Sequence, residues 1–450
     1  MYSQLILPDI LEMLRNNDEK GLSVFCEVLY PAQTAEVLEE LESPEDVWNI
    51  LSHCDLSRQV EIFEFLTLPK QVQLVANVDR ERLSKIIEEM SPDDRVDLLS
   101  RLKTKRVENL LPLIAQAERA DIRRLLSYPE DSAGAIMTTE YASLLTDVTI
   151  SKAYEQLRLQ APTRETIYYI FVIDQSRRLR GIISLQELIL AHPDALLSDV
   201  MHDNVISVRV DDDQEYVALE LARYDFIAIP VVDDSNRLVG IVTHDDVIDI
   251  IQEEATEDAH RVGAIEPLED GYLETPLLTV AWKRGIWLLL LSVVALVTAE
   301  VLSHFNKTSQ QQAWLVMFLP LVLASGGNAG SQSATLVIRS LAVGELERKK
   351  YWQLASRELM VGCLLGSSVA IVGFTAAMTW FELSFAKSSI ILLTVLIVMI
   401  LGTVNGSMLP LLLKRFGLDP ALMSNPLIAA LSDVIGVAIY FTIATLWLVG

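Results

Sequence analysis

The sequence predicts a multi-domain membrane protein with an α-helical superhelical N domain, a tandem pair of α/β modules, a connecting helix and a five-helix α transmembrane domain. Three observations predict this architecture: acidic residues dominate the first part of the chain, a twenty-residue segment recurs, and five long apolar stretches follow Trp282. The expected boundaries are 1–130 for the N domain, 131–250 for the two modules (about 131–195 and 196–250), 251–280 for the connecting helix and 281–450 for the transmembrane domain.

The charge of the chain is unevenly distributed. The formal net charge is −25, yet residues 285–450 hold 7 acidic and 9 basic residues, which leaves 54 acidic and 27 basic residues in residues 1–284. Such an acidic half repels nucleic acid and attracts cations. A mean hydropathy of +0.32 in a chain with 22% charged residues indicates that a charged soluble part is joined to a very apolar one.

Residues 1–130 contain several short amphipathic segments. LSRQVEIFEFL, RERLSKIIEEM and SPDDRVDLLSRL each place apolar residues three or four positions apart, which is typical of helices with one buried face. Ser91, Pro92, Asp93 and Asp94 are predicted to form an N-cap and a first helical turn. These helices are expected to stack in pairs as a small superhelix.

A repeat follows the N domain. Residues 170–189 (IFVIDQSRRLRGIISLQELI) and residues 229–248 (IPVVDDSNRLVGIVTHDDVI) are identical at nine of twenty positions. Each copy predicts a strand, an Asp-led turn, a second strand and a helix. The pattern resembles a tandem CBS pair, which implies ligand sensing, in many cases of an adenine nucleotide. A purely structural pair is the alternative, and the sequence leaves the nucleotide-binding residues unknown.

A strongly acidic helix is predicted directly after the repeat, in HDDVIDIIQEEATEDAHRV. Asp246, Asp249, Glu253 and Glu257 lie on one face of such a helix, where like charges repel. A solvated acidic face is the ordinary explanation. A divalent-cation clamp is the other, because the acidic turn around Asp93 offers a second surface of the same charge.

The five apolar stretches cover about 285–303, 313–337, 359–381, 389–412 and 426–449, and each is long enough to cross a bilayer as a helix. Basic residues gather before the first stretch, after the second and after the fourth, whereas each opposite loop holds one lysine. The positive-inside rule therefore predicts a cytosolic N-terminus and an outside C-terminus. Buried helices of a soluble protein would not show such consistent flanking charges.

Asp433 lies well within the fifth stretch, where an ionised carboxylate is costly unless it faces a polar path or a partner. It is interpreted as a cation ligand or proton carrier, with a protonated side chain bonded to a neighbouring helix as the alternative. Asn425 precedes it by two turns. Pro426 is expected to break the helix and free a carbonyl near residue 422 as a further ligand.

Polar residues also interrupt the second and fourth stretches. Gly326 and Gly330 predict a close helix contact, and Gly402 and Gly406 repeat the spacing. The polar side chains near them are predicted to form a pore-lining band: Asn328, Ser331, Gln332, Ser333 and Thr335 on the second stretch, and Asn405 on the fourth. Hydrogen bonding between helices without transport is the alternative.

One carboxylate in the membrane supplies few ligands, and magnesium requires near-octahedral oxygen coordination and loses water reluctantly. A homodimer would bring two copies of Asp433 to a twofold axis around a hydrated ion. We therefore infer a homodimer with the pore on or near the symmetry axis. A divalent-cation channel is predicted, with magnesium as the favoured ion, and a proton- or sodium-coupled divalent-cation secondary transporter is the alternative. No enzymatic activity is expected, because a hydrolase based on Ser331 or Ser333 would lack a histidine in the five stretches.

The stretches PLVLASGGNAGSQSATLVIRSLAVGE and LPLLLKRFGLDPA, together with MSPDDRVDLL and EEATED, resemble the MgtE family of bacterial magnesium channels, and the resemblance covers nearly the whole chain. It implies a homodimeric channel for Mg²⁺ influx in the bacterial plasma (inner) membrane. It also implies that the cytosolic domains bind regulatory Mg²⁺ and hold a plug helix that closes the pore.

The resemblance also implies roles for individual residues. Asp433 would form the pore site for magnesium together with Asn425 and the backbone of Ala429, and Asp419 would act near the cytosolic pore mouth, although Asp419 also fits an N-cap before Pro420. The implied gating ligands are Asp93, Asp97, Glu215, Asp225, Asp246, Asp249, Glu257 and Asp258. Many relatives have threonines shortly before the pore aspartate, where this chain has Ala429 and Ala430.

Overall fold

The structure is a computed structural model that describes residues 2–268, 271–273, 275–343, 345–346 and 348–449. The chain divides into two compact units, Met1–Ile251 and Gln252–Gly450. The first unit contains the N domain and the two α/β modules. The second contains the long apolar helices.

The N domain consists of short helices that pack on the neighbour two positions along the chain, as in α3 on α5 and α6 on α8, which produces a superhelical stack around one apolar core. Asp55 and Asp79 cap their helices by accepting backbone N–H groups. The helices are α1 (Tyr2–Asn16), α2 (Glu19–Val28), α3 (Pro31–Glu39), α4 (Pro44–Leu51), α5 (Leu56–Glu64), α6 (Leu68–Asn77), α7 (Arg80–Glu89), α8 (Pro92–Arg101), α9 (Thr104–Leu110) and α10 (Gln116–Leu125).

The predicted repeat forms two three-stranded sheets with the same topology, in which a parallel pair is followed by an antiparallel pair. Asp174 and Asp233 form the same turn, since each accepts the backbone N–H groups two and four residues later. The elements are β1 (Tyr141–Leu145), α11 (Ile150–Gln160), β2 (Thr166–Ile173), β3 (Leu179–Ser184), α12 (Leu185–Leu190), α13 (Leu197–Val200), β4 (Val208–Arg209), α14 (Gln214–Tyr224), β5 (Ala228–Val232), β6 (Leu238–Thr243) and α15 (His244–Val262).

The repeated glycines explain how the two modules interlock. A Cβ at Gly181 would lie 2.5 Å from the Met201 sulfur, and a Cβ at Gly240 would lie 2.5 Å from the Met137 sulfur. Thr138 pairs with Ile241 of the second module, so the segment before each sheet packs across the strand that carries the glycine. Only glycine leaves room for these methionines.

The second unit contains six helices among the described residues: α16 (Leu277–His304), α17 (Asn306–Gln311), α18 (Trp314–Ala342), α19 (Tyr351–Thr379), α20 (Phe385–Arg415) and α21 (Asn425–Val449). All except α17 are long and apolar enough to cross a membrane, which confirms the predicted set of five. Helix α18 packs against both α20 and α21, while α19 packs on α20 and α16 packs on α21.

The connecting helix differs from the expected span of 251–280. Helix α15 starts at His244, before that span, and ends at Val262. Gly263 follows it, Ala264 adopts a positive φ of 58°, and Pro276 precedes α16. Gly263, Ala264 and Pro276 do not continue a helix, so the span expected as one helix contains the end of α15 and the start of α16 at Leu277.

Candidate functional site

Three of the predicted pore residues share one face of α21. Asn425, Ala429 and Asp433 are spaced by four residues, so they follow one another along the helix, with Asp433 about 12 Å from Asn425 along the axis. Ala429 lies against α18, where a Cβ at Gly327 would approach its Cβ to 3.2 Å. The structure therefore aligns these residues along the contact of α21 with α18.

Asp433 is half-buried and lines a cavity of about 290 Å³ between α16, α18 and α21. Thr298 of α16 is the other polar residue of this lining among the described residues, and the remaining walls are apolar. The walls are formed by Ala295, Thr298, Ala299, Leu302, Leu319, Leu323, Ala430, Asp433 and Val437. The carboxylate thus faces open space inside the helical unit and is not enclosed in a tight helix contact.

Asn425 connects the start of α21 to α18. Ser331 Oγ donates to the Asn425 backbone oxygen at 3.1 Å, and Asn425 Nδ2 donates to Thr335 Oγ1 at 3.1 Å. Pro426 is the second residue of α21, so the expectation that it breaks a helix is wrong. Proline is accommodated there because the first backbone N–H groups of a helix have no partner within the helix.

The predicted polar band divides into two faces. Asn328, Gln332 and Thr335 are exposed and Ser331 is half-buried, all on one side of α18. Ser333 is buried on another side, about 140° around the helix from Asn328, so it does not share the face of the other four residues. Asn405 of α20 is half-buried.

Ser333 donates to Glu358, a buried carboxyl that the sequence analysis did not identify. The distance from Ser333 Oγ to Glu358 Oε2 is 2.5 Å, and Glu358 is 8% exposed. The Glu358 backbone oxygen accepts a hydrogen bond from Thr403 of α20 at 3.2 Å. Glu358 was missed because the apolar stretch was expected to begin at residue 359, whereas α19 begins at Tyr351.

The predicted glycine contact is confirmed between α18 and α20. A Cβ at Gly402 would lie 2.5 Å from the Gly326 oxygen, and a Cβ at Gly406 would overlap the Gly330 oxygen. The two backbones are therefore in direct contact, and each glycine pair faces the other.

Asp419 lies before α21, where it caps a short 3₁₀ turn by accepting the Ala421 backbone N–H at 2.8 Å. Its other oxygen pairs with Arg261 at the end of α15, and Arg261 also pairs with Glu257. Burial, together with repulsion from Asp419, raises the pKa of Asp258 to about 6. The structure thus brings Glu257 and Asp419 together on Arg261 at the end of α15, and Asp258 lies close enough to Asp419 to be repelled by it.

A second acidic site joins α8 to the start of α15. Asp93 is half-buried, and its Oδ1, which solvent does not reach, has no hydrogen-bond partner among the described residues. Burial and repulsion from Asp246 raise the pKa of Asp93 well above its usual range. Asp246 accepts the Thr243 hydroxyl at 2.5 Å, and burial raises its pKa to about 6. Asp94 is likewise repelled by Asp249. The site therefore consists of two pairs of carboxyls, Asp93 with Asp246 and Asp94 with Asp249.

Two glutamates extend this acidic site and were not found from the sequence. Glu165 is an exposed residue, but partial desolvation of its carboxyl raises its pKa to about 7, with repulsion from Asp246 and Asp245 as further causes. Burial also raises the pKa of Glu64 to about 7, although Glu64 accepts the Ser91 backbone N–H at 2.8 Å. No local pattern identifies either residue, because their place in the cluster depends on contacts between distant segments.

The remaining predicted gating residues lie elsewhere. Asp97 is an exposed residue of α8. Glu215 is in the first turn of α14, and Asp225 ends that helix with a φ of 53°, about 15 Å away along the axis, so the two cannot bind one ion within a chain. Among the described residues, no three acidic, histidine or cysteine side chains form a group that could hold a metal ion. Magnesium, however, usually keeps several waters and binds one or two carboxylates.

The two α/β modules enclose a cavity of about 350 Å³. In the wall of this cavity, His202 Nε2 lies 2.7 Å from Glu187 Oε1, and the Ser184 backbone N–H donates to the other carboxylate oxygen of Glu187. These two hydrogen bonds lower the pKa of Glu187 to about 2. The lining residues are Tyr169, Ile182, Ser184, Glu187, His202, Asn204, Val205, Ile206, Phe226, Ala228 and Pro230.

Comparisons with known proteins cover every part of the chain described above. The profile of the MgtE divalent cation transporter family matches residues 319–443, and that of the MgtE intracellular N domain matches residues 29–131. The CBS domain profile matches residues 133–194 and 197–253, which correspond to the two modules.

Relatives of known function match over most of their length. The chain is 39% identical over 336 residues to a magnesium transporter MgtE of Thermus thermophilus, a match that covers 75% of this chain and 74% of the relative. It is 32% identical over 458 residues to a magnesium transporter MgtE of Bacillus subtilis, which covers 99% of this chain and 97% of the relative.

Solved structures agree with the fold of the first unit. The soluble part of a magnesium transporter matches with a TM-score of 0.53 at 34% identity and covers 56% of this chain and 99% of its own. The cytosolic domain of the Mg²⁺ channel MgtE in complex with ATP matches with a TM-score of 0.52 at 36% identity, and the match covers 54% of this chain and 99% of that structure's chain. The chain therefore belongs to the MgtE family, whose members combine an intracellular N domain, paired CBS domains and a membrane-spanning transporter domain.

Proposed function

We propose that this protein is a magnesium channel that admits Mg²⁺ through its five membrane helices. The observation that carries the proposal is Asp433, a carboxylate two turns inside a membrane-spanning helix that lines a cavity. Such a carboxylate is costly in hydrocarbon and marks an ion pathway. The magnesium transporters of Thermus thermophilus and Bacillus subtilis, which are similar to this chain, support magnesium as the ion.

The pore is formed by a homodimer in this proposal. One carboxylate per chain cannot replace the water shell of Mg²⁺, whereas two copies of Asp433 can hold an ion that keeps its waters. Asn425 and the backbone of Ala429 lie on the same face of α21 and continue the path from Asp433. Helix α16 packs on α21 and leaves most of its apolar surface exposed, which leaves room for a second copy as well as for lipid.

The protein spans the bacterial plasma membrane several times in this proposal, with the N-terminus in the cytosol and the C-terminus outside. The basic residues on one side of the five helices support this orientation. The net negative charge of residues 1–284 then faces the cytosol, where Mg²⁺ is to be sensed.

Cytosolic Mg²⁺ closes the channel by binding the acidic sites. The pairs Asp93 with Asp246 and Asp94 with Asp249 repel each other unless protons or cations neutralise them. Helix α15 carries Asp246 near one end and Arg261, the partner of Asp419, near the other. It is therefore suited to act as the plug helix, because an ion bound at its first turns stabilises the closed position.

The remaining implied gating ligands are Asp97, Glu215, Asp225, Glu257 and Asp258. Asp97 extends the acidic face of α8, and Glu257 and Asp258 lie beside the Arg261 and Asp419 pair. Glu215 and Asp225 lie at opposite ends of α14, so each would contribute to a separate ion site.

The cavity between the CBS modules is proposed as an adenine nucleotide site. A solved cytosolic domain similar to this chain is in complex with ATP, which supports a nucleotide in this family fold. Tyr169 and Phe226 offer aromatic faces for a base, and Glu187 offers an acceptor for ribose hydroxyls.

Magnesium uptake into liposomes tests the pore. The purified protein should conduct Mg²⁺ into magnesium-free vesicles, and Asp433→Asn should reduce the flux at least tenfold, because it removes the charge while preserving shape. Thr442→Val on the same helix is the matched control, since the Thr442 hydroxyl donates to the backbone of its own helix at 2.6 Å. Parental flux in Asp433→Asn would contradict the pore assignment.

The same vesicles distinguish a channel from a coupled transporter. Flux driven by the Mg²⁺ gradient alone, in the absence of any proton or sodium gradient, is the expected result. A flux that requires one of those gradients would instead support the proton- or sodium-coupled alternative, in which Asp433 carries the coupling ion.

Channel recordings over a range of cytosolic Mg²⁺ test the gate. Asp246→Ala combined with Asp249→Ala should keep the channel open at concentrations that close the parent, with an open ratio changed by about 5–150-fold. Asp194→Ala combined with Asp199→Ala removes two exposed charges from the same unit and should leave closure unchanged. Normal closure in the Asp246 and Asp249 variant would refute the regulatory site.

A further inference from the structure

Two of the three cysteines, distant in sequence, meet inside the N domain. Cys26 in α2 is fully buried, whereas Cys54, just after α4, is partly exposed. Cys26 Sγ lies 3.8 Å and Cys54 Sγ 4.0 Å from the same backbone oxygen, that of Ile50. The two side chains are close enough for each to shift the pKa of the other. The fold thus brings together two sulfur atoms that neither the pore nor the acidic sites use.

The surroundings make the two thiols unequal. Arg58 Nε donates to the Cys26 backbone oxygen at 3.1 Å, which holds a positive charge beside the pair. The neighbouring Cys26 thiol, together with the Arg58 charge, lowers the pKa of Cys54, whereas the neighbouring Cys54 and burial raise the pKa of Cys26. The thiolate form, which is the reactive one, is therefore favoured on the sulfur that solvent can reach.

We propose that Cys26 and Cys54 form a redox-active dithiol that closes to an intramolecular disulfide on exposure to a hydroperoxide. The sulfur of the Cys54 thiolate attacks one peroxide oxygen, the O–O bond breaks, and Cys54 becomes a sulfenic acid. For hydrogen peroxide, the departing oxygen takes up a proton and leaves as water.

The buried thiol then completes the reaction. The Cys26 sulfur attacks the Cys54 sulfur, the S–O bond breaks, and a second water leaves with the Cys26 proton. In total, two thiols lose two electrons and hydrogen peroxide is reduced to two waters. The product links α2 to the segment after α4, and a thiol reductant restores the starting state.

Peptide mass spectrometry of the purified full-length protein tests the proposal. After a brief treatment with hydrogen peroxide and alkylation, the parent should show one peptide pair linked through residues 26 and 54, which dithiothreitol separates. Cys363, an exposed residue of α19, should keep a reduced thiol and therefore be found alkylated, and Cys363→Ser should give the same cross-link. An intact thiol at both positions, under conditions that oxidise free glutathione, would overturn the proposal.

A second variant tests the order of events without relying on the cross-link. In Cys26→Ala, the Cys54 sulfenic acid has no resolving partner, so labelling of residue 54 by dimedone should increase at least fivefold over the parent. Cys54→Ser should leave Cys26 unmodified, since Cys26 is buried. Equal dimedone labelling in the parent and in Cys26→Ala would show that Cys26 does not act on Cys54.

Discussion

Ser333 and Glu358 form a hydrogen bond inside the membrane unit, between α18 and α19. The sequence places Ser333 among polar neighbours, and this composition alone suggested a pore-facing band. The helix geometry instead turns Ser333 toward a buried carboxyl, while Ser331 and Thr335 face Asn425. Residues within three positions of one another on a helix can thus belong to different sites.

Removing the Ser333 hydroxyl should destabilise the membrane unit. Ser333→Ala leaves the buried Glu358 carboxyl without its 2.5 Å donor, and an unsatisfied buried group costs about 1–3 kcal/mol. Thermal unfolding in detergent should show a lower midpoint than for the parent. Ser368→Ala on α19 is the control, because its exposed hydroxyl bonds to its own helix at 3.0 Å. Equal midpoints for both variants would refute this role of the hydrogen bond.

Asp225 and Asp419 show that an acidic residue can serve the backbone as well as an ion. Asp225 ends α14 in the left-handed region with a φ of 53°, and Asp419 caps the turn before α21. An Ala substitution at either position would remove a charge and also disturb the backbone. Asn is the better replacement in any test of ion binding, because it retains the conformational preference and a side-chain oxygen.

At the scale of elements, the contact between α18 and α20 determines how closely the membrane helices approach. Gly326 and Gly330 face Gly402 and Gly406 without any intervening side chain. The same helix, α18, holds Asn425 and Ala429 of α21 on another side. Any displacement of α18 from α20 would therefore also move the face of α21 that carries Asp433.

Gly406→Ala should reduce both stability and transport. The new Cβ would overlap the Gly330 backbone oxygen, and such overpacking costs about 1–3 kcal/mol or more. Gly285→Ala in α16 is the matched control: its Cβ meets nothing within 4 Å, so the variant should be neutral or stabilised by about 0.5–1 kcal/mol. The unfolding midpoint measures the stability of each variant, and Mg²⁺ uptake measures its transport. Parental values of both in Gly406→Ala would disprove the close contact.

At the scale of the whole molecule, acidic residues gather in residues 1–284 at a cost in stability. The native state holds Glu64 and Glu165 at pKa values of about 7 and Asp246 at about 6, above the value of about 4 expected in an unfolded chain. Folding therefore favours the protonated groups. Between about pH 4 and 7 the native state binds more protons than the unfolded state, so stability falls as the pH rises through this window.

The melting temperature in chelator should consequently be higher at pH 6 than at pH 8, and Mg²⁺ should raise it most at pH 8, where the cation replaces the lost protons. Carboxyls with lowered pKa values, such as Glu187, are ionised throughout this range and do not contribute. Glu64→Gln should reduce the difference in melting temperature between pH 6 and pH 8, because Glu64 is half-buried with a pKa of about 7, whereas Glu155→Gln, at an exposed residue of α11, should not. A melting temperature that increases from pH 6 to pH 8 in chelator would contradict this account.

The features predictable from sequence are those that depend on local or periodic properties. Apolar length determines the five spanning helices, the repeated strand and turn residues determine the two modules, and glycine spacing determines the α18 contact. Asp433 and Asn425 are recognisable as candidates because a polar group in an apolar helix is costly wherever it points. Each of these properties depends only on residues that are close together along the chain.

What only the tertiary structure decided is which distant residues meet. The direction of Ser333, the burial of Glu358, the addition of Glu64 and Glu165 to the acidic site, and the meeting of Cys26 with Cys54 all depend on contacts between segments far apart in sequence. Burial and electrostatic repulsion depend on three-dimensional distance, and that distance is fixed by the packing of the whole chain rather than by the order of residues along it.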